Sequence, residues 1–396
     1  MNMEVGLVGK PNVGKSTFFA AATRTEVEMA SYPFTTIEAN IGVGYIRAPC
    51  PHDELGVTCE PNHTPCVNGI RMIPVKMIDV AGLVPDAHAG KGLGNKFLDD
   101  LRQASVLIHI VDSSGSTNPE GEPCPVGQHD PVSDVAFLER EIDLWIKGIL
   151  ENNWKKVSRK LELVGGKLDR VIFEQVSGLG VSEAKVSAAI RDSKAPQNPK
   201  DWDEETLYEL ARNLRLKNKP IIIAANKADQ ASEENLTALG SLDTPAVTTS
   251  AEYELAIRKA SEKGLVDYSP GEDKFNIKKD DITPPQMNAL QKIRGFMEIN
   301  GGLGVQQVLE KAVYDLLDMI VVYPVENEHN YTDKEGRVLP DAYLMPRGST
   351  SLDLAYAVHT DIGEGFIRAV DARSQRVIGR DHVLKDGDII KIVSSR

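Results

Sequence analysis

The stretch GKPNVGKS, Gly9 to Ser16, constrains this chain more than any other. It fits G-x-x-x-x-G-K-[S/T], and its context matters as much as its letters. The apolar run MEVGLV (3–8) reads as a short buried strand in front of it, and a helical pattern begins at Ser16 behind it. Gly9 and Gly14 permit a backbone turn that aims amide N–H groups at one point beside a helix N-terminus. Such a point attracts phosphate oxygens. Lys15 supplies a cation there and the Ser16 hydroxyl a Mg²⁺ ligand, while Asn12, Val13 and Thr17 complete the expected phosphate-binding set.

A strand feeding such a loop implies an α/β fold, and further β-like runs follow at 71–80, 105–112, 220–227 and 245–250, with helical patterns between them. That alternation predicts a mostly parallel sheet covered on both faces, the P-loop NTPase (Ras-like) class. It breaks between 134 and 217. Val135, Leu138, Ile142, Trp145 and Ile149, then Trp154, Val157, Leu161, Val164, Leu168 and Val171, fall at spacings of three and four. Two heptad stripes around ENNW predict an antiparallel coiled-coil hairpin inserted into the sheet domain. Its tip, 147–170, carries seven Lys/Arg against three Asp/Glu. From 320 the texture changes to short strands around one helix at about 351–359, a separate α+β unit. The expected domains are therefore 1–133 with 218–319, the insertion 134–217, and 320–396.

Three more elements stand in the order that a guanine-nucleotide switch requires. YPFTTIEANIG (32–42) offers Thr35 and Thr36, with Thr36 expected to close over the γ-phosphate and Mg²⁺. DVAG supplies Asp79 for the metal shell and the Gly82 amide for the γ-phosphate. NKAD (226–229) ends a strand, so the Asp229 carboxylate can accept from guanine N1–H and the 2-amino group. Adenine has an acceptor at N1 and no 2-amino group, so it leaves that carboxylate unpaired. Asn226 and Lys227 brace the loop, and Ser250 and Ala251 of TSA complete the base pocket. The expected ligands are GTP and GDP, and the expected reaction is hydrolysis of GTP.

Composition narrows the setting. The net charge of −13 disfavours indiscriminate binding to nucleic acid or anionic membranes. No apolar run reaches the ~18 residues that span a bilayer, and MNMEVGLVGK is no signal peptide, so a cytoplasmic monomer without membrane contact is expected. Four cysteines in 396 residues make no disulfide scaffold. Three of them, Cys50, Cys59 and Cys66, share 50–66 with two histidines. Three thiolates and an imidazole can hold zinc, but no C-x₂-C pair is present, and a hairpin loop with free thiols is the plainer reading.

YPFTTIEANIG, DVAGLVPDAHAGKGLGNKFLDDLR, the insertion before NKAD and VHTDIGEGFIRAV (358–370) together resemble the Obg–HflX superfamily of GTPases. The chain is most similar to the YchF (Obg-like ATPase) branch, which carries a C-terminal TGS domain of β-grasp fold. The ATP-preferring members of that branch have a glutamate-ending variant of the base motif. This chain keeps Asp229, as archaeal-type members do, so GTP is expected and an ATP-preferring or dual-specificity enzyme acting on a protein partner is the alternative. The resemblance implies a hydrophobic residue, here Leu83, where other GTPases hold the attacking water with glutamine. In related GTPases an asparagine at the Asn12 position helps bind K⁺, which implies K⁺-stimulated hydrolysis. YchF relatives also carry a histidine at the His109 position, which makes His109 a catalytic candidate. His88, Lys91 and the glycines Gly90, Gly92 and Gly94 form a candidate mobile loop. A ribosome or ribosomal RNA partner is implied for the coiled coil and the TGS unit, where Arg368, Arg373, Arg376 and Arg380 cluster against Asp371.

Overall fold

The computed structural model describes residues 3–23, 40–80, 94–152, 154, 157–159, 161, 167–278 and 282–395. By contact the chain divides into two compact units, 4–22 with 77–308, and 1–3 with 23–76 and 309–396. The first is the nucleotide-type unit. Its strands β1 (Glu4–Val8), β5 (Val106–Asp112), β6 (Ile221–Asn226) and β7 (Ala246–Thr248) run parallel in that order. Every residue of β1, β5 and β6 is buried, as near-continuous apolar strands must be when both sheet faces are covered. The register sets Val8 beside His109 and Asp112 beside Asn226, so the loops after these strands emerge at one edge. Ligands of open α/β sheets gather at this carboxyl edge.

Helix Pro131–Glu151 starts on the Asp130 cap, whose carboxylate accepts from the Val132 amide at 2.9 Å, with proline in the first turn where its missing N–H costs nothing. Val135 packs on Val111 and Ile223 of the sheet. Leu138, Ile142 and Trp145 pack instead with Leu207, Leu210 and Leu214 of helix Glu204–Asn218 and with Ile172 and Val176 of helix Leu168–Val176. The three-and-four stripe thus faces several helices, where the sequence predicts one antiparallel partner. Ile142 and Trp145 need more apolar cover than one narrow seam gives, and helix 204–218 supplies it. Trp154 stacks on Trp202 with ring centroids 4.8 Å apart, and the Arg215–Asp143 ion pair at 2.7 Å is buried. The return helix of the expected hairpin lies partly outside the described residues, as does its basic tip.

The second unit joins the β2–β4 segment to the C-terminal sheet. Strand β2 (Ile41–Pro49) leads through a loop to β3 (Cys66–Val67), which pairs antiparallel with β4 (Ile70–Asp79). Ala48 and Ile73 share a core with Val321, Tyr323, Leu339 and Ile389. The five-stranded sheet has the order 343–346, 319–325, 389–394, 366–371, 376–378, with a central parallel pair between 319–325 and 389–394. Helix Ser351–Val358, capped by Thr350 and Asp353, covers one face through Leu354. Among the described residues, no helix is long and apolar enough to cross a membrane.

Candidate functional site

The phosphate-type loop is fixed by its own sequence. Gly14 has φ of 92°, and a β-carbon there would lie 2.4 Å from the Asn226 side-chain nitrogen, so both backbone and neighbour require glycine. Asn12 also sits in the left-handed region (φ 61°), which asparagine tolerates better than most residues. Its Nδ2 donates to the Gly121 carbonyl at 2.9 Å. The helix Lys15–Thr23 follows directly, so Lys15, Ser16 and Thr17 occupy its first turn. They line an open cleft of about 680 Å³.

Asp229 lines the same cleft. Its Oδ1 accepts from the Ser250 hydroxyl at 2.7 Å, which fixes the carboxylate. Asn226 makes two bonds with opposite ends of one amide: Nδ2 donates to the Val13 carbonyl at 2.9 Å, and Oδ1 accepts from the Ala251 amide at 3.0 Å. Lys227, with φ of 58°, sends its ammonium to Asp112 Oδ2 at 2.8 Å. Three loops far apart in sequence are therefore tied at one point. Phosphate-loop, base-motif and TSA residues converge as their order in the chain requires.

Lys15 Nζ donates to the Val80 carbonyl at 2.5 Å and lies 3.5 Å from Asp79 Oδ1. That carboxylate oxygen is buried and, among the described residues, accepts no hydrogen bond. A carboxylate with an open oxygen beside Lys15 suits a hard cation with oxygen ligands such as Mg²⁺. His109 is buried in the middle of β5, and burial, then the Lys10 charge, pushes its imidazole down to about 3. Its ring is neutral at pH 7. Thr35, Thr36, Gly82, Leu83, His88, Gly90, Lys91 and Gly92 lie outside the described residues.

Sequence reasoning missed Asp112 and the loop after it. The Asp112 carboxylate accepts from Ser114, Ser116 and Thr117 hydroxyls as well as from Lys227. Burial raises its pKa, but the bonds from Lys227, Ser114 and Ser116 outweigh this and hold the carboxyl below the usual range. Lys10 adds a second brace, donating to the Thr117 carbonyl at 2.9 Å and to Asp134 at 3.0 Å. The signal was present in VDSSGST, an aspartate ending a strand before four hydroxyl residues. Its partner Lys227 is not legible from local sequence.

The family model described as "50S ribosome-binding GTPase" matches residues 4–136. "Obg-like GTPase YGR210-like, G4 motif-containing domain" matches 224–327, and "TGS domain" matches 328–394. An uncharacterized GTP-binding protein of Methanocaldococcus jannaschii is 50% identical over 395 residues, covering 99% of both chains. The Ribosome-binding ATPase YchF of Bacillus subtilis is 28% identical over 98% of both. Among solved structures, a GTP binding protein from Pyrococcus horikoshii matches with a TM-score of 0.78 and 42% identity, over 99% of this chain and 100% of that one. The Schizosaccharomyces pombe YchF GTPase shares the fold, with a TM-score of 0.59 at 17% identity over 99% of this chain and 98% of that one.

Proposed function

The chain belongs to the YchF/Obg-like family of P-loop GTPases, and from that premise we propose that it binds GTP and hydrolyses it to GDP and phosphate as a conformational switch. The observation that carries this reading is that Lys15, Ser16 and Asp229 line one cleft while Asn226 bonds to both of its sides. In this reading Gly9 to Thr17 hold the phosphates, and the Asp229 carboxylate takes the N1–H and 2-amino group of guanine. The Ala251 amide, aligned by Asn226, serves guanine O6. Ser250 keeps Asp229 from turning away.

Mg²⁺ would be held by Ser16 and Asp79, with Thr36 added in the triphosphate state, and would neutralise charge on the phosphate oxygens. Lys15 stands beside Asp79 and contributes a second positive charge. With Leu83 at the glutamine position, no side chain there orients water. The charge that develops between the β- and γ-phosphates then needs another cation, which in this reading is a K⁺ recruited by Asn12. Its Nδ2 is spent on Gly121, which leaves the amide oxygen as the ligating atom. In this reading His109, buried and neutral, serves the packing of the sheet.

The proposed division of labour follows the three segments named above: 1–133 with 218–319 as the switch, and 134–217 and 320–396 as the readout on a ribosomal partner, in a cytoplasmic monomer. A matching family model described as ribosome-binding and relatives named as ribosome-binding support that partner. So do Arg368, Arg376 and Arg380, which are exposed in the C-terminal unit. Arg373 is drawn off by Glu54. The name of the Bacillus subtilis relative favours a second reading, ATP use, against which the intact Asp229 stands. Phosphate release is the test, measured with GTP or ATP, in K⁺ or Na⁺, with and without ribosomes. GTP turnover raised by K⁺ and by ribosomes supports the proposal. Equal rates in K⁺ and Na⁺ remove Asn12's role, and indifference to ribosomes removes the partner.

A further inference from the structure

The 50–66 segment brings together side chains that the nucleotide reaction leaves without a role. Cys50 follows β2, His52 opens the single helical turn His52–Leu55, Cys59 lies in the loop, and Cys66 begins β3. Their ligating atoms all lie within 4.8 Å of one another, and none of the three cysteines is in a disulfide. His52 Nδ1 is 3.4 Å from Cys59 Sγ and 3.6 Å from Cys66 Sγ. A tetrahedral zinc with Zn–S of about 2.3 Å and Zn–N of about 2.0 Å sets nitrogen and sulfur roughly 3.5 Å apart. One imidazole nitrogen facing two sulfurs at that separation has the spacing of a shared ion.

The surroundings agree. The other ring nitrogen of His52, Nε2, lies 3.0 Å from Asp53 Oδ1, which orients the ring and leaves the Nδ1 lone pair turned to the sulfurs. The Arg71 guanidinium is fully buried, and its Nη2 donates to Cys50 Sγ at 3.2 Å. Among the described residues no carboxylate pairs with Arg71, and a buried cation without a counter-charge is costly. Zn²⁺ with three thiolates and a neutral imidazole carries one net negative charge, which Arg71 balances. The other sequence candidate, His63, is committed elsewhere, with Nδ1 at 3.1 Å from Asp341.

We propose that Cys50, His52, Cys59 and Cys66 bind one zinc ion. Four protein ligands leave no open position, so the site is structural. It closes the loop between β2 and β3, and Arg71, which also donates to the Thr64 and Leu339 carbonyls at 2.9 Å, ties it to the core of the C-terminal sheet. This goes beyond the proposed function and is independent of nucleotide.

The full chain, expressed without added zinc and exchanged against a weak chelator under reducing conditions, is analysed for metals and then reconstituted with Co²⁺. The expected result is one zinc per chain, falling below about a tenth in Cys59→Ser and Cys66→Ser. Cys124→Ser, outside the cluster, retains it. Should the cluster variants fail to fold, the wild-type cobalt spectrum decides, because tetrahedral thiolate-bound Co²⁺ gives intense visible and charge-transfer bands. A folded, reduced chain without metal, a chain carrying iron, a Cys59–Cys66 disulfide in the purified protein, or a weak octahedral cobalt spectrum each overturns the proposal.

Discussion

Asn226 donates to the Val13 carbonyl at 2.9 Å, so the base motif and the phosphate loop share a hydrogen bond across 213 residues of sequence. With its oxygen on the Ala251 amide, the same side chain sets the distance between the two ends of the cleft.

Replacing Asn226 by alanine strands a buried carbonyl and a buried amide, each costing about 1–3 kcal/mol. Asn226→Ala is expected to lower the unfolding free energy by about 2 kcal/mol and GDP affinity by at least tenfold. Urea denaturation and titration calorimetry measure the two effects, and unchanged affinity would show that the two loops are set independently.

Asp229→Asn turns a double acceptor into a group that also donates. The variant is expected to lose roughly 100-fold in GDP affinity and to gain xanthine nucleotide binding, because xanthine offers an oxygen where guanine has an amine. Competition titrations with GDP and XDP read this directly.

The depressed pKa of His109 gives a signed pH dependence. A folded value of about 3 against an unfolded one of about 6.5 means that the unfolded chain takes up the proton first. The stability this group permits is fully present above about pH 6.5 and is lost as pH falls towards 3. Between pH 7 and pH 5 the loss is about 2 kcal/mol. His109→Leu is expected to abolish that part of the acid sensitivity while leaving GTP turnover within about twofold. A large fall in kcat in the folded variant would return His109 to the chemistry.

Asp112 is shifted in the same direction. Its carboxyl is held below the usual range, so its contribution is present above about pH 4 and fades as pH falls through the folded value. Removing Lys227 leaves a buried carboxylate without its cation, a loss of about 3–5 kcal/mol by analogy with broken buried pairs. Lys227→Met should therefore melt well below wild type at pH 7 and approach it in acid. A difference that does not change with pH would contradict the pairing.

The nucleotide unit was legible because its signals are local. GKPNVGKS, NKAD and TSA each sit at the end of an apolar strand, and the register that brings Asp112 beside Asn226 follows from parallel pairing of such strands. The apolar stripe on helix 131–151 was legible, but its partner was not, since the sequence does not say that helix 204–218 returns to cover Ile142. The Asp112–Lys227 pair and the Cys50–His52 grouping depend on contacts made only after folding. In 50–66 the sequence offers three cysteines and two histidines without a C-x₂-C pair, and only the folded loop shows that the histidine two residues after the first cysteine is the one that joins them.

In the proposed site Asp229 reads an amino-bearing purine in the cleft lined by Lys15 and Ser16. Titration of the wild-type chain with GDP and with ADP, in Mg²⁺, tests it most directly. Tight GDP binding is expected, with ADP weaker by at least about 100-fold, a gap of about 2.7 kcal/mol. Equal affinity for the two nucleotides, or tighter ADP, would contradict it.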